Sequence, residues 1–177
     1  MKINNRRLAG AIARKPALTG LLSLAVAAAV ATPGLVAAQE SIEWLTLGSD
    51  YGHTRFIPAS QINADNFESL QTAWVWDGAS FQASSGRSTP SYIDGVLYTV
   101  AGDRRHVVAI DPETGETIWS YREPHTFRHE YSMRKDYGKG VGYAEVDGRG
   151  VIYIISPGFF LTALDAKTGA PLEGFGH

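Results

Sequence analysis

The residue types best suited to chemistry lie between Arg122 and Lys139, a stretch rich in charged, aromatic and histidine side chains. His125 and His129 have the spacing at which two imidazoles on one face of a helix can bind a metal ion. Pro124 and its basic and aromatic neighbours favour a loop, so we interpret both histidines as non-ligands. Long loops often line sites, and we expect this one to rim an entrance, with a solvated charged surface as the alternative.

Alternating glycines, Gly138-x-Gly140-x-Gly142, have part of the spacing of a dinucleotide-binding fingerprint. They lack the strand, turn and helix that such a fingerprint requires, so we exclude a dinucleotide site. The chain has no cysteine, which excludes disulfides and a lipid-modified cysteine anchor. Packing must therefore hold the fold together.

Short β-branched runs surround this stretch, and no long segment has a helical period. One pattern occurs twice: a strand-like run that begins at a glycine, a polar break, a second run and an Asp-x-x-Thr-Gly turn. The first copy comprises 95–100, 106–110 and the turn 111–115, and the second comprises 150–155, 160–164 and the turn 165–169. The turn glycines lie 54 residues apart, close to the period of a kelch-type blade.

The repeated turn has a physical explanation. Asp111 and Asp165 can accept main-chain N–H groups across a tight corner, while Gly115 and Gly169 can adopt the positive φ that re-enters the next strand. The pattern predicts an all-β fold, a β-propeller of four-stranded blades, with about two blades in this chain. Because propellers close with roughly 4–8 blades, we expect the chain to be an incomplete, amino-terminal part of a ring.

The first 38 residues differ from the rest. They contain five basic residues, an apolar, alanine-rich run at 17–31 and the small-residue site Val36-Ala37-Ala38. We predict a cleavable signal peptide over 1–38 and export by the general or the twin-arginine route. Residues 39–177 carry 11 basic and 18 acidic side chains, a net charge of −7, which argues against nucleic acid or an anionic membrane as the main partner.

Three segments resemble a known family, the pyrroloquinoline quinone (PQQ)-dependent dehydrogenases, or quinoproteins. The most specific segment is the opening Trp44-x-x-x-Gly48-x-Asp50-x-x-x-Thr54-Arg55-Phe56-x-Pro58-x-x-Gln61-Ile62-Asn63-x-x-Asn66-x-x-x-Leu70-x-x-Ala73-Trp74. The others are Thr89-Pro90-x-x-x-Asp94-Gly95 with the first turn and Trp119, and Gly140-Val141-x-Tyr143 with the second turn and Phe175-Gly176. The resemblance is to the amino-terminal portion of the alcohol and glucose dehydrogenases and covers nearly all of 39–177.

This resemblance implies an eight-bladed periplasmic propeller that holds PQQ in a central funnel beside a Ca²⁺ ion. In the family an aspartate acts as base on the substrate hydroxyl, and both this aspartate and the Ca²⁺ ligands come from later blades. The resemblance therefore implies no catalytic residue and no metal ligand in this chain, and we expect the chain alone to be inactive. It leaves open a peripheral attachment to the inner membrane.

Two positions match cofactor-contacting positions of the family. An arginine before the Gly-Val-x-Tyr segment usually pairs with a carboxylate of the quinone, and Lys139 stands there in this chain. Lysine keeps the charge but loses the bidentate fork of arginine. Arg87 stands where an acidic or amide residue is usual, and we hypothesise that it supplies the missing fork. The alternative for each residue is a solvated surface cation.

Other departures from the family pattern concern substrate and packing. Met133-Arg134 replaces the vicinal cysteine pair that lies beside the quinone in many alcohol-oxidising members, and the opening and ending look more like the membrane glucose and polyol dehydrogenases. Glu173 stands where the second repeat would carry the counterpart of Trp119, which predicts weaker or different docking there. We interpret Trp74 and Trp76 as core or docking residues.

The leading hypothesis is a dehydrogenase that uses PQQ to oxidise an alcohol, polyol or aldose and passes electrons to a quinone or cytochrome of the respiratory chain. The alternative is a non-catalytic PQQ-like propeller that acts as a binding or assembly scaffold, and a third hypothesis is a non-functional truncation product. The opening segment favours the enzyme. The substitutions at Arg87 and Lys139 leave the scaffold open as an alternative. We expect no nucleic-acid partner.

Overall fold

A computed structural model describes residues 42–82, 88–133 and 140–176. These residues belong to one compact unit, Gln39–His177. The predicted signal peptide, 1–38, lies outside the described residues. Among the residues that are described, no helix has the length and apolarity needed to cross a membrane.

The first repeat forms a complete four-stranded antiparallel blade, blade 1. Its strands are β1 (Ser91–Ile93), β2 (Val96–Ala101), β3 (His106–Ile110) and β4 (Thr117–Tyr121), in the spatial order β1-β2-β3-β4. This order is the meander expected of a propeller blade, in which each strand lies beside the next in the chain. The predicted all-β fold is confirmed.

The second repeat forms blade 2, which has three strands among the described residues. They are β5 (Gly142–Val146), β6 (Arg149–Ile155) and β7 (Leu161–Asp165), again ordered as a meander. A single antiparallel bridge between Leu164 and Pro171 follows. Beyond it the chain turns away, so a fourth strand begins and ends within two residues.

The described parts of the connecting segments contain three short helical turns. Two are 3₁₀ turns at Phe67–Ser69 and Ala79–Phe81, and the third is the helix α1 (Phe127–Glu130). We predicted a loop from Arg122 to Lys139, and this prediction is wrong at α1, where the chain forms one turn of helix. Thr126 begins that turn by accepting a hydrogen bond from the main-chain N–H of His129 at 3.1 Å, which is the capping role that threonine favours.

Both Asp-x-x-Thr-Gly turns have the geometry that the sequence predicts. The Oδ1 atom of Asp111 accepts the main-chain N–H groups two and three residues later at 2.7 and 3.2 Å. Asp165 does the same at 3.0 and 2.9 Å. Gly115 and Gly169 close the turns at φ of 76° and 71°, a region that residues with a Cβ rarely occupy.

A tryptophan from the preceding unit covers each turn. Trp74 donates its indole N–H to a main-chain carbonyl of the first turn at 2.9 Å, and a Cβ on Gly115 would lie 2.7 Å from its ring. Trp119 donates to the carbonyl of Ala166 in the second turn at 3.0 Å, and a Cβ on Gly169 would overlap its ring. The docking role predicted for Trp119 is confirmed, and Trp74 has the same role one unit earlier.

The main core lies between the two blades. Its buried residues are Ile93, Tyr98, Val100, Val107 and Ala109 from blade 1 and Ile152, Ile154, Leu164 and Ala166 from blade 2. A second, smaller core lies on the other face of blade 1, where Trp74, Trp76 and Phe81 pack against it. Blade 1 is therefore covered on both faces, which places its strands rigidly.

Candidate functional site

The antiparallel order brings several turns together at each end of the blades. At one end, called the upper end, lie residues 88–90, 102–105, 122–133, 140–141 and 156–160. At the opposite, lower end lie the turns 94–95, 111–116, 147–148 and 165–169. A hydrogen bond from Arg105 to the carbonyl of Ile155 at 3.0 Å joins the blades at the upper end. The hydroxyl of Tyr98 joins them lower down by donating to the carbonyl of Ala166 at 3.0 Å.

Charge differs strongly between the two ends. The upper-end segments carry four arginines against three carboxylates, a net charge of +1: Arg104, Arg105, Arg122, Arg128, Asp103, Glu123 and Glu130. The lower-end turns carry six carboxylates against one lysine, a net charge of −5: Asp94, Asp111, Glu113, Glu116, Asp147, Asp165 and Lys167. The net negative charge of residues 39–177 is therefore concentrated away from the upper end, which is the more favourable of the two ends for an anion.

The first strands of the two blades begin side by side at the upper end. Gly140, at φ 130°, approaches the main chain before β1 so closely that a Cβ would lie 2.8 Å from the carbonyl oxygen of Thr89. The hydroxyl of Ser88 lies 2.8 Å from that of Thr99 and donates to the carbonyl of Val100 at 3.1 Å. The close approach of Gly140 to Thr89 and the hydrogen bonds of the Ser88 hydroxyl thus fix the positions from which β1 and β5 start.

The predicted cofactor-binding residues precede these two positions in the chain. Arg87 comes directly before Ser88, and Lys139 comes directly before Gly140. Both Arg87 and Lys139 lie outside the described residues. Their pairing with a quinone carboxylate therefore stays a prediction. The close approach of Gly140 to Thr89, which follow Lys139 and Arg87 in the chain, supports it.

A buried carboxylate that the sequence analysis missed joins the blades at the upper end. Glu123 is 3% exposed and accepts hydrogen bonds from the hydroxyl of Ser156 at 2.6 Å and from the N–H of Gly158 at 3.2 Å. A Cβ on Gly158 would overlap this carboxylate, which explains why glycine stands in the turn. Arg104 donates to the carbonyl of Glu123 at 3.0 Å. A Glu-Pro pair after a strand has no motif that would have indicated this role.

The two histidines of the upper end lie close together. The rings of His125 and His129 meet edge to face, with centroids 5.9 Å apart. In the parts of the chain that the structure describes, no three His, Cys, Asp or Glu side chains gather where they could hold a metal ion. His106 lies at the start of β3 against the ring of Phe81, and burial lowers its pKa although a hydrogen bond with the carbonyl of Ala101 acts in the opposite direction.

The lower end holds a cleft between the blades with a volume of about 370 Å³. Tyr98, Trp119 and Tyr143 line it together with Asp94 and Glu145. Burial, reinforced by neighbouring groups, raises the pKa of Tyr98 to about 12, and burial followed by the charge of Glu145 raises the pKa of Tyr143. The cleft combines negative charge with un-ionised phenols, so it disfavours an anionic ligand.

Comparisons with known proteins match this architecture. The family model for the β-propeller domain of PQQ-dependent glucose, ethanol and alcohol dehydrogenases matches residues 44–177. Quinohemoprotein alcohol dehydrogenase ADH IIB of Pseudomonas putida is 33% identical in an alignment that covers 88% of this chain and 23% of that protein. The 1-butanol dehydrogenase (cytochrome c) of Thauera butanivorans is 34% identical in an alignment that covers 72% of this chain and 18% of that protein.

A solved structure gives the same result. The crystal structure of quinohemoprotein alcohol dehydrogenase from Comamonas testosteroni superposes with a TM-score of 0.59 at 31% identity, over 76% of this chain and 19% of that one. The chain thus spans about a fifth of the length of the relatives it matches. Paired blades, docking tryptophans and the match over 44–177 agree, and the chain belongs to the family of PQQ-dependent glucose, ethanol and alcohol dehydrogenases, as part of their β-propeller domain.

Proposed function

We propose that this chain forms two blades of a periplasmic, PQQ-dependent dehydrogenase that oxidises an alcohol, polyol or aldose and passes the electrons to a quinone or cytochrome. The observation that carries the proposal is the close approach of Thr89 and Gly140, which lie at the upper end just before β1 and β5. A cofactor bound at this place would receive groups from both blades.

Charge supports the upper end as the side that binds the cofactor. PQQ is an anion with several carboxylates, and carboxylates in proteins are held by arginine, lysine and main-chain N–H groups. The described upper end has a net charge of +1, and Arg87 and Lys139 would add to it, whereas the lower-end turns have a net charge of −5. When bound, PQQ supplies the two-electron chemistry that protein side chains lack. We propose that the catalytic aspartate and the Ca²⁺ ligands lie in other blades.

The relatives favour an alcohol as substrate. Their names describe alcohol and 1-butanol dehydrogenases, and one acts with cytochrome c while others are dehydrogenase subunits of quinone-linked enzymes. An alcohol and a cytochrome or quinone acceptor are therefore the first pair to assay. Polyols and aldoses follow, because the opening segment resembles the enzymes that oxidise them.

Repeat geometry supports assembly with further blades. Tyr98 pairs with Ala109 in blade 1, and Tyr153 pairs with Ala163 in blade 2, so the two sheets have equivalent faces. In blade 1 this face is buried against blade 2. In blade 2 it leaves Ile155 and Leu161 more than half exposed, as a surface for the next blade of a propeller.

The proposal is tested by titrating PQQ into the whole protein that contains these blades. Lys139→Ala should weaken PQQ binding about tenfold, because a charge-assisted hydrogen bond contributes roughly 1.5–3 kcal/mol. Lys167→Ala, which removes a lysine from the lower end, is the matched control and should leave the affinity unchanged. Equal affinity of Lys139→Ala and wild type would remove Lys139 from the cofactor site.

Activity decides between the enzyme and the scaffold. The whole protein, loaded with PQQ and Ca²⁺, should reduce an artificial electron acceptor in the presence of an alcohol. A folded protein that binds PQQ but oxidises none of a panel of alcohols, polyols and aldoses would support the scaffold instead.

A further inference from the structure

A group of exposed aromatic side chains projects from the upper end. The rings of Phe127 and Tyr131 in the α1 segment contact each other at a tilt, with centroids 4.5 Å apart, and Arg128 lies 4.9 Å above the ring of Phe160. Together with Met133 and Phe159 these residues form what we call the aromatic patch. Phe127 is 73% exposed and Phe159 is 66% exposed, although burial of a phenylalanine normally contributes to stability.

The turn that carries Phe159 is held in a strained conformation. Phe159 has a φ of 60°, which is an outlier for a bulky residue. The N–H of Phe159 donates to the carbonyl of Ser156 at 2.9 Å, and the N–H of Phe160 donates to the hydroxyl of Ser156 at 3.2 Å. Ser156 in turn donates to the buried Glu123. A strained residue persists only where its surroundings fix it, so this network keeps the Phe159 ring directed outward.

We infer that the aromatic patch is a membrane-contact surface, which seats the upper end of the blades on an anionic phospholipid bilayer. Aromatic rings prefer the boundary between the headgroups and the acyl chains, and arginine is attracted to anionic headgroups. Exposed apolar patches rimmed by polar residues mark sites that bind membranes or proteins. Here the rings project from two separate loop tips, which suits insertion into a lipid surface better than docking in a protein groove.

The charge difference between the ends would orient the molecule on the bilayer. Residues 39–177 have a net charge of −7, which argues against binding to an anionic surface. This would hold only if the charge were evenly distributed, and it is not. The described upper end is positive and the lower-end turns carry −5, so an anionic surface attracts the end with the aromatic patch and repels the other. A single orientation follows, with the aromatic rings toward the lipid.

The test measures co-sedimentation of the whole protein that contains these blades, without residues 1–38, with vesicles of phosphatidylcholine, with and without phosphatidylglycerol. Omitting 1–38 removes an apolar run that would bind lipid by itself. Wild type should bind the mixed vesicles more tightly, and added salt should weaken this binding.

Two variants and one control locate the contact. Phe127→Ser and Phe159→Asn should each lower the partition coefficient about tenfold, since each removes an apolar ring from the lipid, and asparagine tolerates the left-handed backbone of position 159. Arg128→Ala should lower it about fivefold on the mixed vesicles only. Ile118→Ser changes an apolar residue of similar exposure, 52%, which borders the lower-end cleft and should leave binding unchanged.

Several results would overturn the inference. They are absence of binding to either vesicle, equal loss in Ile118→Ser, or unchanged binding in both phenylalanine variants while circular dichroism shows the native fold. Specific binding of the patch to a protein, with no vesicle binding, would identify a protein interface instead. Lipid binding requires no quinone, so this test and the PQQ titration succeed or fail separately.

Discussion

Blade 1 and blade 2 share their turns and their register but differ in the strand that follows the turn. Ile110 pairs with Thr117, and Leu164 bridges Pro171, which are the same positions 54 residues later. In blade 1 the strand continues to the docked Trp119. In blade 2 the chain turns at Glu173, and Phe175 packs on Tyr153 with ring centroids 5.7 Å apart.

The difference separates two roles of one repeat, which are to receive a tryptophan at its turn and to donate a tryptophan from its fourth strand. The Asp and Gly of the turn form a seat, and the seat is filled by the tryptophan of the unit before it. Blade 2 has the seat and receives Trp119, but Glu173 offers no tryptophan to a following unit. The fourth strand is therefore complete in blade 1, where its tryptophan docks on the turn of the next blade.

Removal of the docked ring of Trp119 should cause the largest loss of stability. Trp119→Ala should lower the free energy of unfolding by about 3 kcal/mol, because it removes a large aromatic contact and a hydrogen bond to Ala166. Glu173→Ala, at the equivalent position of blade 2, should change it by less than about 0.5 kcal/mol, since that side chain is exposed. Denaturant unfolding measures both, and equal effects would contradict the separation of seat and tryptophan.

A smaller loss of stability is expected when a Cβ occupies the space in which the tryptophan ring docks on the turn. Gly169→Ala should cost about 2–3 kcal/mol, because the new Cβ meets both a positive φ and the ring of Trp119. Gly174→Ala also has a positive φ, 83°, but nothing lies within 4 Å of its Cβ, so it should cost only about 1 kcal/mol. The same denaturant series gives both values. A Gly174→Ala cost as large as that of Gly169→Ala would show that backbone strain alone matters.

Among the groups that join the two blades, Tyr98 should give the smallest loss of stability at neutral pH. Tyr98→Phe should cost about 1 kcal/mol by removing one hydrogen bond to Ala166. Its pKa rises from 10 to about 12 on folding, mainly through burial, so its contribution is present below pH 10 and lost as pH rises through 12. Wild type should therefore lose stability between pH 10 and 12 and the variant less, as measured by unfolding at each pH. Parallel pH profiles would contradict this assignment.

The strongest periodic features of the sequence predicted most of the fold. Asp and Gly at fixed positions have local geometric requirements, so the two turns could be recognised and the propeller inferred. Strands β1 and β5 lacked a clear pattern, because β1 has only three residues and β5 begins at a glycine. The helix α1 is four residues long and depends on a single cap at Thr126.

The site was less predictable than the fold. Arg87 and Lys139 came from a family resemblance and remain predictions. Glu123 and Ser156 lie 33 residues apart in sequence and meet only because the blades stack, so no local pattern could pair them. The opposite charge of the two ends likewise requires the strand order, since basic and acidic residues mix along the chain.

Each tryptophan docks on a turn that lies later in the chain, which has a consequence for the order of folding. Trp74 leaves the ribosome before the turn 111–115, and Trp119 leaves it before the turn 165–169. In a chain that folds from its amino terminus onward, each docking site would form when its tryptophan is already present. The blades would then be added in chain order, each one docking on the next through its tryptophan.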